Sequence, residues 1–336
     1  MRFGIRLPVV GPFASKDTLT QISMLVDDLG FHSVWSQGHL IWTKQREELA
    51  PNVGAVEAVT SNMNPNSFEY YTLTPYIAAL TRRIRFGFAV YMMPFVHPII
   101  TAKLIADMDV LSEGRIIFCI AAAGHLSKPT FDALGIDFEK RSEITDEYVE
   151  AVQRLWTEDN CSFNGRFVKF SNVSLYPRTI QKPHPPIWIA GNTYRYVKRA
   201  AKYGSGLMLT SVDPRSLEEI SQWSNYVRDL RGTNVKDFTM DMFACLASTD
   251  KEASDLAHTT LKQRVELQAK ENALVPPSIS RMERINLIGS PSTIIGKVKE
   301  YEKAGVNLLE MRFISTTHDK MVEMIKRFST EVIPSI

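Results

Sequence analysis

Two histidines and a glycine-asparagine-threonine triplet are the residues of this chain whose types and placement point to chemistry. His39 and His125 each stand where an apolar run ends. An imidazole titrates near neutral pH, so either can exchange a proton there, or can be an ordinary structural or solvated histidine. Gly191, Asn192 and Thr193 lie between an apolar run and a helical one. Free backbone N–H groups and the helix dipole at such a junction favour a phosphate, although the same triplet also makes a good turn and helix cap. Arg312 falls late in the last apolar run, where it faces an anionic group or, on the simpler reading, is salt-bridged inside the fold. Arg195 reads as part of a solvated helix face, with a phosphate contact as the sharper alternative. The histidines show neither HxH nor HExxH spacing, so no metal site is expected. No Gly-rich nicotinamide fingerprint follows a strand.

These residues need elements to position them, and the stretch 83–125 supplies the repeating unit. Residues 85–92 are a strand candidate of β-branched and aromatic residues stopped by Pro94. Ile100, Leu104, Ile105, Met108 and Leu111 then recur at helical spacing, with Pro98 in the first turn and Gly114 ending the helix. Residues 115–121 form a second apolar run. A strand, crossover helix, strand unit makes parallel, buried neighbours, and such sheets carry their chemistry at the carboxyl ends of the strands. Residues 89–92 and 121–125 are therefore expected to face a site.

The pattern repeats. Further strands are expected at 2–7, 33–37, 187–190, 207–210, 238–247 and 306–313. Helices are expected at 19–29, 70–80, 140–156, 194–202, 214–230, 251–270, 290–304 and 318–328. Asn164-Gly165 within 161–170 predicts a hairpin with a two-residue turn. Eight alternations with no break in composition fit an α/β fold, one (β/α)8 TIM barrel over 1–336, better than an open doubly wound sheet. Segments 41–67 and 271–286, long and irregular, are candidate lid insertions at its C-terminal face.

Composition narrows the function classes. With 336 residues, 44% of them hydrophobic and 23% charged, the chain has ample material for a large core. A net charge of +2 gives no general attraction to nucleic acid or anionic membrane. Cys119, Cys161 and Cys245 are widely spaced with no CxxC, as expected of reduced thiols in a cytoplasmic protein, and Cys119 and Cys245 read as small core residues. The first residues lack a signal-peptide pattern, and no apolar run approaches the length of a membrane span.

The runs AKLIADMDVLSEGR, DEYVEAVQRLW and SFNGRFVKF, the prolines from 183 to 186 leading into IWIAGN, and LIGSPSTIIGKVKEYEKAGVNLLEMRF resemble, in order and over most of the chain, the bacterial luciferase-like flavin oxidoreductases. The likeness is narrower to the branch that uses the deazaflavin coenzyme F420. The resemblance implies a TIM barrel, often a homodimer, binding reduced FMN or F420 at its C-terminal face. It places Ala89, Val90 and Tyr91 where backbone approaches the ring, often across a non-proline cis peptide. Ala122 stands in the ending of the fourth strand, where relatives carry a Gly-x-Gly-Trp type sequence and this chain has small residues followed by His125. Gly191, Asn192 and Thr193 take the cofactor phosphate on this likeness. His39 becomes the catalytic candidate, although the Asp that precedes it in many relatives is Gly38 here. Trp42, Met92 and His125 are candidates for the substrate pocket. The implied reaction is a monooxygenation by reduced FMN and O2, with a separate flavin reductase and a small organic substrate. Hydride transfer with F420 and a flavin-binding protein without turnover are the alternatives.

Overall fold

Short apolar runs flanked by glycine, proline and capping residues set the elements of this fold, and each capped apolar stripe becomes a helix lying on the next strand. The computed structural model describes residues 1–38, 40–44, 66–210, 217–229, 235–270 and 278–336. Within them lie β1 (Arg2–Arg6), α1 (Lys16–Asp28), β2 (Ser33–Ser36), α2 (Tyr70–Leu80), β3 (Arg85–Phe88), β4 (Tyr91–Met92), α3 (Pro98–Leu111), β5 (Ile116–Ala121), α4 (Lys128–Leu134) and α5 (Arg141–Thr157). There follow β6 (Cys161–Asn164), β7 (Lys169–Val173), β8 (Ile187–Ala190), α6 (Tyr194–Tyr203), β9 (Gly206–Thr210), α7 (Leu217–Asp229) and β10 (Asp237–Leu246). The chain ends with α8 (Asp250–Lys270), α9 (Ile279–Ile285), β11 (Leu287–Gly289), α10 (Pro291–Lys303), β12 (Leu308–Phe313) and α11 (His318–Arg327).

The strands β1, β2, β3, β5, β8, β9, β10 and β12 pair in parallel in that order, and β12 pairs back onto β1. The sheet is therefore closed, which is the (β/α)8 barrel expected from the sequence, with no open edge among these eight. Closure needs an interior that side chains fill. Trp35 and Trp188 lie against each other there, ring centroids 5.4 Å apart, with Ile117, Cys119, Met208 and Leu308 around them. The large indole of Trp35 is accommodated because its neighbour on β3 is Gly87, where a Cβ would stand 2.2 Å from the ring. Outside the strands a second, larger apolar layer packs against the helices, including Phe118, Trp156, Met242 and Phe328. Cys119 and Cys245 are fully buried and unpaired, in line with their reading as core residues. Among the described residues no helix is long and apolar enough to cross a membrane.

Four local features differ from the sequence reading. The run 85–92 is not one strand but two, β3 and β4. The stretch after His125, where no element was expected, holds a short helix, α4. The hairpin does not turn on Asn164-Gly165 in two residues: Asn164 pairs with Lys169, and Gly165 N–H reaches Val168 O at 3.0 Å. The cause is tertiary, because the Glu147 carboxylate of α5 accepts the N–H groups of Arg166, Phe167 and Val168 at 2.7–2.8 Å and draws the loop open. Of the second lid candidate, 271–277 lies outside the described residues. The rest is ordered as α9, with Met282 buried and the Lys297 ammonium donating to the carbonyls of Glu283, Asn286 and Ile288 at 2.7–2.9 Å. Of the first candidate, 45–65 lies outside the described residues, and Ser67 is tied to Val10 by a bridge.

Candidate active site

The carboxyl ends of three neighbouring strands form a ledge of very small side chains. Ala89 follows β3, Ala121 ends β5 and Ala122 follows it, and Ala190 ends β8; all four are buried. Ala89, Ala121 and Ala190 belong with half-buried Val90 to the same apolar cluster as Trp35 and Trp188, so the ledge looks down onto the barrel's filled interior.

The main chain of this ledge is irregular at two adjoining places. Gly87 pairs with Ile117 and Tyr91 with Ile120, so four steps along one strand match three along its partner, and one extra residue is set into the ladder at Ala89 and Val90. The peptide between Ala89 and Val90 is cis. On β5's side, Ala123 has φ +82°, a conformation that side chains other than glycine rarely adopt. Arg141 braces that turn: its Nε donates to Ala123 O at 3.4 Å while its guanidinium lies 3.9 Å from the centre of the Phe138 ring. The extra residue in the ladder and the positive φ at Ala123 are departures of the kind found where main chain meets a ligand.

Below the ledge the barrel holds four charged side chains. Arg6 on β1 donates to both carboxylate oxygens of Glu310 on β12, at 2.6 and 2.7 Å, and lies 3.3 Å from Asp241 on β10. Asp241 also accepts from Arg312 at 2.6 Å. Burial pushes the Glu310 carboxyl up to about 7, Arg6 opposing and Asp241 adding to the shift. Asp241 suffers the same burial, but Arg312 and Arg6 on either side outweigh it and hold its carboxyl below the usual range. The cluster is thus one firm anion, one weak acid and two cations. Sequence reasoning singled out Arg312 and its salt bridge but not the other three. Their signal was present, since Arg6, Asp241 and Glu310 each interrupt an apolar strand.

The sequence-predicted residues fall as follows. His39 lies outside the described residues. Ala89, Val90 and Ala122 line the ledge. Tyr91 contributes main chain only, because its side chain is fully buried on the outer face of the barrel, stacked on Tyr70 and hydrogen-bonded through its hydroxyl to Thr101 Oγ1 at 2.7 Å. Met92 and His125 lie at one satellite cluster: Met92 packs against the group formed by Ala123, Phe131 and Phe138, and the exposed His125 ring lies 5.6 Å from that of Phe138. Trp42 is half-buried against the main core. Gly191 and Asn192 are half-buried and Thr193 exposed at the amino end of α6, whose first turn Thr193 does not cap with its hydroxyl. Arg195 is exposed, 3.5 Å from Ser142 Oγ.

A separate cavity of about 530 Å3 lies at the amino ends of β8, β9 and β10, lined by Gln153, Lys182, His184, Lys202, Tyr203 and Lys236. It is at the far end of the barrel from the ledge, the end that serves stability in this architecture.

The luciferase-like monooxygenase family model matches residues 1–308. The chain is 25% identical over 298 residues to the FMNH2-dependent dimethylsulfone monooxygenase of Pseudomonas putida, covering 81% of this chain and 79% of that one. It is 23% identical over 341 residues to the F420-dependent glucose-6-phosphate dehydrogenase of Amycolatopsis mediterranei, covering 96% and 95%. The crystal structure of the monooxygenase RslO1 from Streptomyces bottropensis superposes with a TM-score of 0.80 at 25% identity, covering 99% of each chain.

Proposed function

The chain belongs to the luciferase-like monooxygenase family, whose members use flavin-type cofactors, and on that premise we propose that it is a two-component monooxygenase. It would take reduced FMN from a separate reductase and use O2 to oxygenate a small organic substrate. The observation that carries this reading is the ledge of Ala89, Ala121, Ala122 and Ala190, where side chains no larger than a methyl let a flat tricyclic ring come down onto the main chain of three strands. When bound, reduced FMN supplies the electrons that activate oxygen.

The chain's own residues do the rest. Trp35, Trp188 and Met208 seal the barrel beneath the ledge, so water cannot reach the ring from below. The amino end of α6, with Gly191, Asn192 and Thr193, receives the phosphate through N–H groups and the helix dipole. Met92 and His125, gathered at Phe138 beside the ledge, form a side wall for the substrate. His39, assigned from its place in the sequence, is the proposed proton donor.

Hydride transfer with F420 is the second reading. It is favoured by the likeness to the F420-dependent dehydrogenase, which runs along nearly the whole chain. Anaerobic titration with reduced FMN and with reduced F420, followed by rapid mixing with oxygenated buffer, separates the two. The monooxygenase reading expects reduced FMN to bind and its reoxidation to follow a different course on the protein than in free solution. Tight binding of F420 with no uptake of reduced FMN would sink it.

A further inference from the structure

Side chains alternate along a strand, so Leu308, Glu310 and Arg312 of β12 share one face. Leu308 packs with Trp35 and Trp188 and Glu310 pairs with Arg6, both inside the barrel. Arg312, the last of the three, therefore points inward at the level nearest the mouth. Of the four clustered side chains Arg6, Asp241 and Glu310 are 3%, 6% and 0% exposed, whereas Arg312 keeps 17%. That exposure faces the mouth, because the other three close the interior beneath it.

Arg312 is also only partly used. One terminal nitrogen is held by Asp241, but its buried Nε has no acceptor. A buried N–H left without a partner costs free energy that a ligand oxygen would recover.

We propose that Arg312 is a ligand-contacting residue of the candidate active site, fixed on one side by Asp241 and offering its remaining guanidinium N–H groups to a negatively charged or strongly polarised oxygen above the barrel interior. The inference rests on the flavin reading given above and adds an anion-recognising element to it. Two sources carry that chemistry, the electron-rich edge of the reduced flavin ring and a carboxylate or similar group on the substrate.

Equilibrium titrations of the wild-type, Arg312→Gln and Arg312→Lys proteins distinguish them. The ligands are oxidised FMN, photoreduced FMN and, for the FMN-loaded protein, benzoate. The expected result is a loss of about tenfold or more in Arg312→Gln for reduced FMN if the ring is the source, or for benzoate if a substrate anion is. Oxidised FMN should stay within about twofold in either case. The Arg312→Lys protein keeps the charge and covers the case in which the Gln variant does not fold: it should lose roughly threefold or more for the same ligand. Losses under about twofold for both reduced FMN and benzoate, or an equal loss for oxidised FMN, overturn the assignment. A wild-type protein that binds FMN in neither oxidation state removes the flavin reading itself, and the Arg312 assignment falls with it.

Discussion

Arg6 and Glu310 face each other across the barrel interior, joined by two hydrogen bonds of 2.6 and 2.7 Å, one residue coming from the first strand of the chain and the other from the last. Their pairing helps lock the two ends of the sequence into one cylinder. It also sets a titration inside the protein.

Glu310 carries its proton to about 7 in the folded chain, against an ordinary value of 4.5. Between those values the folded state binds more protons than the unfolded one, so this group's contribution to stability is present at low pH and lost as pH rises through the window. Thermal unfolding of the wild type and of Glu310→Gln from pH 4.5 to 8 tests this. The variant, which cannot ionise, should show its largest deficit at the acid end, narrowing as pH rises. A deficit that widens with pH would mean that Glu310 is ionised throughout.

Tyr91 separates main-chain from side-chain roles at the ledge. Its ring and hydroxyl are buried on the outer side of the barrel, with Thr101 as hydrogen-bond partner, while its backbone continues the ledge. Tyr91→Phe should therefore cost stability, about 1–2 kcal/mol by urea denaturation, for the Thr101 hydroxyl left without its best partner. FMN affinity should stay within about twofold. A large drop in affinity with unchanged stability would place the hydroxyl on the ligand instead.

Much of this fold could be read before any coordinates, because parallel strands buried on both faces write themselves as unbroken apolar runs, as 116–121 and 187–190 do. What could not be read is local. Nothing in RFGFAVYMM marks the extra residue at Ala89 and Val90, since it exists only relative to the partner strand. The Asn164-Gly165 turn was overridden by Glu147, seventeen residues before it, through three hydrogen bonds that no short-range rule contains. Arg6, Asp241 and Glu310 stood out as charges in apolar strands, yet that they are one cluster follows only once β1, β12 and β10 are side by side. That 89–92 and 121–125 stand at site-facing strand ends was legible from the strand, helix, strand pattern, whereas the roles of Ala89, Val90 and Ala122 toward a ring came only from the family resemblance.

The interior of the barrel is filled to the point where one methyl matters. A Cβ at Gly87 would lie 2.2 Å from the Trp35 ring, and that ring is fully buried. Gly87→Ala should destabilise by about 1–3 kcal/mol, as overpacking of a core does. Adding Trp35→Phe should restore part of the loss, because the smaller ring withdraws from the new methyl. Additive losses in the double variant, measured by denaturant unfolding, would show that the two residues do not share space.

Gly191 tests the phosphate end of the proposed site. Its φ of +155° is rare for residues with a side chain, and a Cβ would meet the Tyr196 ring at 2.3 Å. Tyr196 lies in the first turn of α6, so Gly191→Ala forces either the loop or the start of that helix to move. The amino end of α6 is where the phosphate is proposed to bind, and a shifted helix end no longer presents its N–H groups and dipole to the same point. Riboflavin carries the same ring without the phosphate. The variant should therefore bind FMN about tenfold more weakly than the wild type while riboflavin affinity changes by less than about twofold. Equal losses for both ligands would move the phosphate away from residues 191–193 and leave the glycine with a purely structural task.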